Sequence, residues 1–257
     1  MSGILYNNIL KLRKDIEYTC IDLCENPEPI HGIIFRKGNC EDCSFENTNT
    51  IIMSHVFEHL YNPAKFVENI SKHDVKSIII SIPNLKELLN NENINTLHFE
   101  HTYYIDKSYI EYLFSKNGYY LNDNYYFNNH SIFFHFVKKD HVPIKLINNI
   151  ELKNKFNNLL LVRNTISNIK IKPYSFIAPA GHFGQLVYTL CKPDSLLGFL
   201  DNDTSKQNHR VYGTPYMVYS YSKLKDYKDV IVYVYGGPYS NEIVRQLESF
   251  GVTIVKI

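Results

Sequence analysis

Three groups of side chains in this sequence could do chemistry. Four of the five cysteines, Cys20, Cys24, Cys40 and Cys43, form a CxxxC then CxxC arrangement that overlaps zinc-ribbon spacing. Cys20, however, lies in the alternating stretch Ile16 to Asp22, which reads as a strand, so its thiol is expected to pack against a sheet. An odd number of cysteines also argues against a disulfide framework. His55 and His59 stand four residues apart and would pair on a metal only if the stretch were helical; with no third ligand evident, no metal is assigned. The third group follows the apolar run Ser175 to Ala178, where Pro179-Ala180-Gly181-His182-Phe183-Gly184 turns into a helix. Such a turn aims backbone amides at an anion, a role open to Gly181 and Gly184. Glycine also serves short turns for purely conformational reasons, and full GxGxxG spacing is lacking. Asp201, after the next strand, could bind ribose hydroxyls or close an Asx-type turn.

These residues need elements to hold them, and the hydrophobic periodicity supplies an alternating series. A helix over residues 4 to 14 is followed by strands at 16–23 and 50–54, a helix from Pro63 to about Lys72 and a strand at 77–82. A helix at 107–116 and aromatic-rich strands at 119–127 and 131–138 complete the series, the last two as an antiparallel hairpin. Asn62-Pro63 reads as cap and first turn. Ile-rich strands that are apolar on both faces call for a mostly parallel sheet covered by helices. Residues 139–172 read as one long connecting helix, and 173–257 as a second, small Rossmann-like α/β unit with strands near 175–178, 195–200, 230–235 and 252–257.

A net charge of +1 offers no broad field for a nucleic acid polymer or an anionic membrane, and no apolar run approaches the roughly 20 residues that span a bilayer. No signal-like stretch precedes the first charges, so a cytoplasmic protein is expected.

The order of segments in the first part carries a resemblance. Gly38-Asn39-Cys40-Glu41-Asp42-Cys43-Ser44-Phe45 leads into Thr50 to Ser54, then His55-Val56-Phe57-Glu58-His59-Leu60-Tyr61-Asn62-Pro63, then the strand from Ser77 to Asn84. This order resembles the class I S-adenosylmethionine (SAM) methyltransferases. The resemblance implies that Asp22 holds the ribose hydroxyls of SAM, that Asp42 meets the adenine amino group with Cys43 as an apolar neighbour, and that Ser54 and His55 line the crevice. Cys40 and Cys43 stand where the family commonly carries Ala and Leu. Ser2-Gly3-Ile4-Leu5 resembles only the exit of the family's glycine-rich turn, which puts Gly3 at the cofactor.

Thr96-Leu97-His98-Phe99-Glu100-His101-Thr102-Tyr103-Tyr104 narrows the resemblance to sugar C-methyltransferases, which act on nucleotide-linked keto-deoxysugars and pair a SAM domain with a Rossmann-like one. Glu100, His101 and the Tyr103-Tyr104 pair match that family's run; His98 stands where the family has tyrosine. The implied roles are His101 as base, Glu100 orienting it or the substrate, and His98 as donor to an enolate. Tyr103, Tyr104, Asn84, Gly181, His182 and Asp201 are the implied substrate contacts. The expected organisation is a methyltransferase-like domain over 1–138, a connecting helix over 139–172 and a Rossmann-like domain over 173–257. The family's first strand and glycine-rich turn would lie just before Gly3, so the sheet is expected to be open at its middle unless an upstream segment or another chain completes it. The expected function is a SAM-dependent methyltransferase-like protein acting on a nucleotide-linked sugar in glycan biosynthesis, in a homo-oligomer or alone. The alternative is a noncatalytic sugar-nucleotide-binding or assembly module.

Overall fold

The structure, a computed structural model, describes residues 8–9, 11, 15–24, 31–90, 96, 101–147 and 150–257. It is an α/β protein of two compact units, Met1–Asn84 with Glu100–Asn148, and Leu85–Phe99 with Asn149–Ile257. Among the described residues no helix is long and apolar enough to cross a membrane.

In the first unit, β1 (Tyr18–Asp22) and β2 (Ile33–Lys37) pair in parallel as a separate two-stranded sheet. A four-stranded sheet follows, ordered β3-β4-β6-β5. Here β3 (Thr50–Ser54) and β4 (Ser77–Pro83) run parallel, while β6 (Ser131–Lys138) and β5 (Tyr119–Phe127) add the antiparallel hairpin. Among the described residues two helices pack on this sheet. The side chain of Asn62 accepts the Lys65 amide at 3.0 Å and Pro63 opens α1 (Pro63–Ser71), which buries Phe66, Val67 and Ile70. Three elements later, after the short α2 (Leu85–Asn90) of the second unit, Asp106 caps α3 (Lys107–Lys116), which buries Ile110, Leu113 and Phe114. These meet the buried Ile78, Ile80 and Ile82 of β4 and Phe134 and Phe136 of β6, with the Phe114 and Phe136 rings stacked at 4.3 Å. Each such side chain contributes about 1.5–3 kcal/mol over its exposed state. Among the described residues β3 is an edge strand, and no strand joins it to β1.

The second unit adds α4 (Ile150–Ser167), β7 (Ser175–Ala178), α5 (His182–Cys191), β8 (Leu196–Leu200), β9 (Val218–Tyr219), β10 (Ile231–Val234), α6 (Ser240–Glu248) and β11 (Thr253–Lys256). Its five strands are all parallel in the order β11-β10-β7-β8-β9, so the order reverses between β7 and β10, as in a Rossmann-like sheet. Successive residues of β7 serve opposite faces. Phe176 and Ala178 join one core with Val232 and Val234, and Ile177 joins the other with Phe199 and Val187. That two-sided burial is why the strand reads as an unbroken apolar run.

The structure departs from the sequence reading at β2 and in the connecting helix. β2 was not anticipated, because its alternation is short and ends in Arg36-Lys37. The helix expected across 139–172 occupies only Ile150–Ser167, with residues 141–147 non-helical before it. Of the helix expected over 4–14, only residues 8, 9 and 11 are described, and those are helical.

Candidate functional site

The chemistry-bearing side chains of the first unit gather beyond the carboxyl ends of β3 and β4. His55 donates its amide to Ser81 at 3.1 Å, extending the strand pairing by one residue, and then adopts φ 51. A histidine held in that left-handed region turns the chain sharply off the sheet. The 3-10 turn Phe57–His59 follows. Phe57 is completely buried against Phe66 and Phe114, and this anchor carries Glu58 into the interior at 2% exposure while His59 faces solvent.

A second segment is laced onto this turn. The amides of Thr102 and Tyr103 donate to the Glu58 carbonyl at 3.1 and 3.2 Å. The Thr102 hydroxyl donates to the His59 carbonyl at 3.2 Å, and the Tyr103 hydroxyl to the Tyr61 carbonyl at 2.9 Å. These bonds bring His101 edge-on to His59, ring centroids 5.0 Å apart, and place one donor atom from each of Glu58, His59 and His101 within 4.8 Å of the others.

Behind the cluster runs a chain of polar groups. The Glu58 Oε1 lies 3.1 Å from His55 Nδ1; His55 Nε2 lies 2.9 Å from the Ser131 hydroxyl, which lies 2.5 Å from His130 Nδ1. One proton assignment satisfies all of them: His130 Nδ1–H donates to Ser131, Ser131 donates to His55 Nε2, and His55 Nδ1–H donates to Glu58. The other carboxylate oxygen, Glu58 Oε2, is buried with no hydrogen-bond partner among the described residues.

Of the residues singled out from sequence, Ser54, His55 and His101 belong to this region, and Ser54 accepts from Ser81 at 3.2 Å. Asn84 is buried just after β4, its amide donating to the His130 carbonyl at 2.8 Å. Tyr104 lies 6.3 Å from the His101 ring, while the Tyr103 hydroxyl is committed to the Tyr61 carbonyl. Gly3, His98 and Glu100 lie outside the described residues. Asp22 ends β1 and accepts the Cys24 amide at 3.0 Å; Asp42 lies exposed in the turn Cys40–Asp42 and accepts from Asn39. Glu41 anchors its turn, accepting the Tyr61 and Asn62 amides at 2.9 and 2.6 Å.

Cys40 and Cys43 pack against the first core. Burial, then the neighbouring Glu41 and Asp42 respectively, pushes both thiols up from their ordinary range; for Cys20 the causes are burial and then Asp22. Among the described residues the cysteines form no ligand cluster.

The second unit settles its own polar ends. Gly181 caps α5 with φ 97, and a Cβ on Gly184 would lie 2.1 Å from the Pro179 carbonyl oxygen, so close backbone approach requires glycine there. At the switch point Phe183 stands over Gly237, whose Cβ would fall 2.6 Å from that ring, and packs edge-on to Tyr235 at 5.7 Å. Asp201 spends one oxygen on the Asp203 amide at 2.9 Å and the other on Lys206 Nζ at 3.1 Å, which is the geometry of an Asx-type turn. His182 is exposed at the start of α5.

Sequence reasoning passed over Glu58, Ser131 and His130. The only signal for Glu58 was its place between Phe57 and His59 in a run whose apolar members are core residues.

No family model matches the sequence, and no curated protein matches it. Among solved structures, the chain is similar over part of its length to magnesium protoporphyrin IX methyltransferase from Synechocystis with bound S-adenosylhomocysteine (SAH), at 12% identity and TM-score 0.35. The match covers 42% of this chain and 52% of that one, so the chain spans about half of that enzyme. It is also similar to a protein of Listeria monocytogenes assigned as a SAM-dependent methyltransferase, at 12% identity and TM-score 0.43, covering 54% of this chain and 88% of that one. A SAM-dependent methyltransferase of Thermotoga maritima gives 14% identity and TM-score 0.34, covering 42% and 65%. At these scores the likeness assigns no residue of this chain a role.

Proposed function

We propose that this chain is a SAM-dependent methyltransferase-like protein whose substrate is a nucleotide-linked keto sugar of glycan biosynthesis, methylated at carbon. The observation that carries the reading is the pair of imidazoles, His59 and His101, set over a buried carboxylate beyond the carboxyl ends of two parallel strands. Ligands of open α/β sheets bind at that edge. Methylation beside a ketone needs a base for a carbon-bound proton and a donor for the enolate. His101 removes the proton, and the electrons of the C–H bond become those of the enolate. The enolate carbon then forms its bond to the methyl group as the carbon–sulfur bond of SAM breaks, releasing SAH. His98 and Glu100 are the proposed donor and orienting group. The cofactor side would use Gly3, Asp22, Asp42, Cys43, Ser54 and His55, and the sugar side Tyr104 and Asn84.

The test is calorimetry with SAM, SAH and a panel of nucleotide sugars, followed by turnover of the best binder. His101→Gln should abolish turnover and leave SAM affinity unchanged; an unchanged rate sinks the assignment. A second reading, a noncatalytic sugar-nucleotide-binding or assembly module, is favoured by the separation of β1 from β3 among the described residues. Nucleotide-sugar binding without SAM binding would select it.

A further inference from the structure

We propose that Glu58, His59 and His101 hold a divalent first-row transition-metal ion, of the kind that takes mixed imidazole and carboxylate ligation. The inference does not rest on methyl transfer, since the ion needs neither SAM nor sugar. Two independent observations support it. The first is the donor set: two imidazole nitrogens and a carboxylate oxygen, all within 4.8 Å of one another. Bonds of about 2.0–2.2 Å place neighbouring ligand atoms about 3–3.5 Å apart, within reach of modest rotation by the exposed His59 and half-buried His101 rings. The second is Glu58 Oε2, an oxygen of a side chain only 2% exposed, with no hydrogen-bond partner among the described residues. A buried carboxylate oxygen without a partner is costly, and a cation supplies one.

The surroundings fit a metal centre rather than a chance cluster. Glu58 Oε1 is taken by His55 Nδ1, and His55 is fixed in turn by Ser131, so the carboxylate is oriented with its second oxygen left for the ion. The Thr102 and Tyr103 amides lock the His101 segment onto the Glu58 carbonyl, so the ligands from the two segments are held together by main chain. Imidazoles suit Zn2+, Fe2+, Ni2+ or Cu2+, whereas Mg2+ and Ca2+ favour all-oxygen shells. Three protein ligands leave a coordination position for water or a substrate oxygen, the arrangement of catalytic rather than structural sites. In the metal-loaded chain His101 would serve as a ligand, and the base role proposed above would belong to the metal-free chain alone, so turnover with and without Zn2+ separates the two roles.

The full chain, stripped with chelator and titrated with Zn2+ and Co2+, provides the test. One tight Zn2+ per chain is expected, and Co2+ should show d–d bands of nitrogen and oxygen ligation. Glu58→Gln, His59→Ala and His101→Ala should each weaken binding more than about 100-fold, and the positioning variant His55→Asn about 10–100-fold. Asparagine is chosen at 55 because it tolerates the left-handed backbone. Circular dichroism verifies folding; if Glu58→Gln fails to fold, the exposed His59→Ala carries the test alone. No binding to the stripped wild-type chain, affinity unchanged in folded His59→Ala, or thiolate-to-cobalt charge-transfer bands placing the ion on cysteines would each overturn the proposal. Because metal binding is read without SAM, its failure is separable from failure of the methyl-transfer reading.

Discussion

Both units contain adjacent parallel strands, and they treat the strand ends in opposite ways. In the second unit five parallel strands are continuous, and the loops at the switch point close on each other: Phe183 occupies the space over Gly237, and Asp201 spends both oxygens within its own turn. In the first unit β3 is an edge strand among the described residues, and beyond its end histidines are strung along a hydrogen-bonded chain to a carboxylate with one oxygen left over. An α/β sheet therefore offers a place for ligands without ensuring that one is used. Whether the loop side chains satisfy one another decides how much chemistry remains available there.

The comparison can be tested from its foundations upward. The largest effect is expected from Phe136→Ala, which removes a fully buried ring stacked on Phe114; denaturant unfolding should show a loss of about 4 kcal/mol. Gly184→Ala strikes the second unit, forcing a methyl group against the Pro179 carbonyl and the Phe199 ring, and should cost about 3 kcal/mol in the same measurement. If it cost nothing, the closed turn after β7 would be looser than described.

Alkaline pH should treat the units alike. Burial pushes both Tyr119, in the first core, and Tyr221, in the second, up to about 12, with nearby acids as the lesser cause. Below pH 10 both states keep these protons. Between pH 10 and about 12 the unfolded chain loses them and the folded chain does not, so stability falls by on the order of 2 kcal/mol per tyrosine. Tyrosinate absorbance should show these two titrating late; Tyr119→Phe and Tyr221→Phe should each flatten the fall.

The smallest effect sharpens the contrast itself. Ser131→Ala leaves His55 and His130 without their shared hydroxyl and should cost about 1–2 kcal/mol in denaturant unfolding. A neutral result would mean that the polar chain behind Glu58 is not a connected unit.

Much of the architecture could be read from local pattern. Asn62-Pro63 marked the start of α1, residues 107–116 were read as the helix that is α3, and the aromatic-rich runs at 119–127 and 131–138 marked the hairpin, because capping and strand composition are properties of a few adjacent residues. β2 escaped because five residues ending in two cations give alternation too little room.

The candidate site divides along the same line. The sequence by itself determined that histidines and acids would sit at strand ends of an α/β sheet, since strand length and turn chemistry place them there. It offered His59 only His55, four residues away, as a partner and no third ligand. Only the tertiary structure set His101 beside it, 42 positions along the chain, through the Thr102 and Tyr103 bonds to Glu58 and the burial of Phe57 that turns Glu58 inward. The physical reason is that local preferences act over a turn or two, whereas the meeting of two distant segments depends on the core they share.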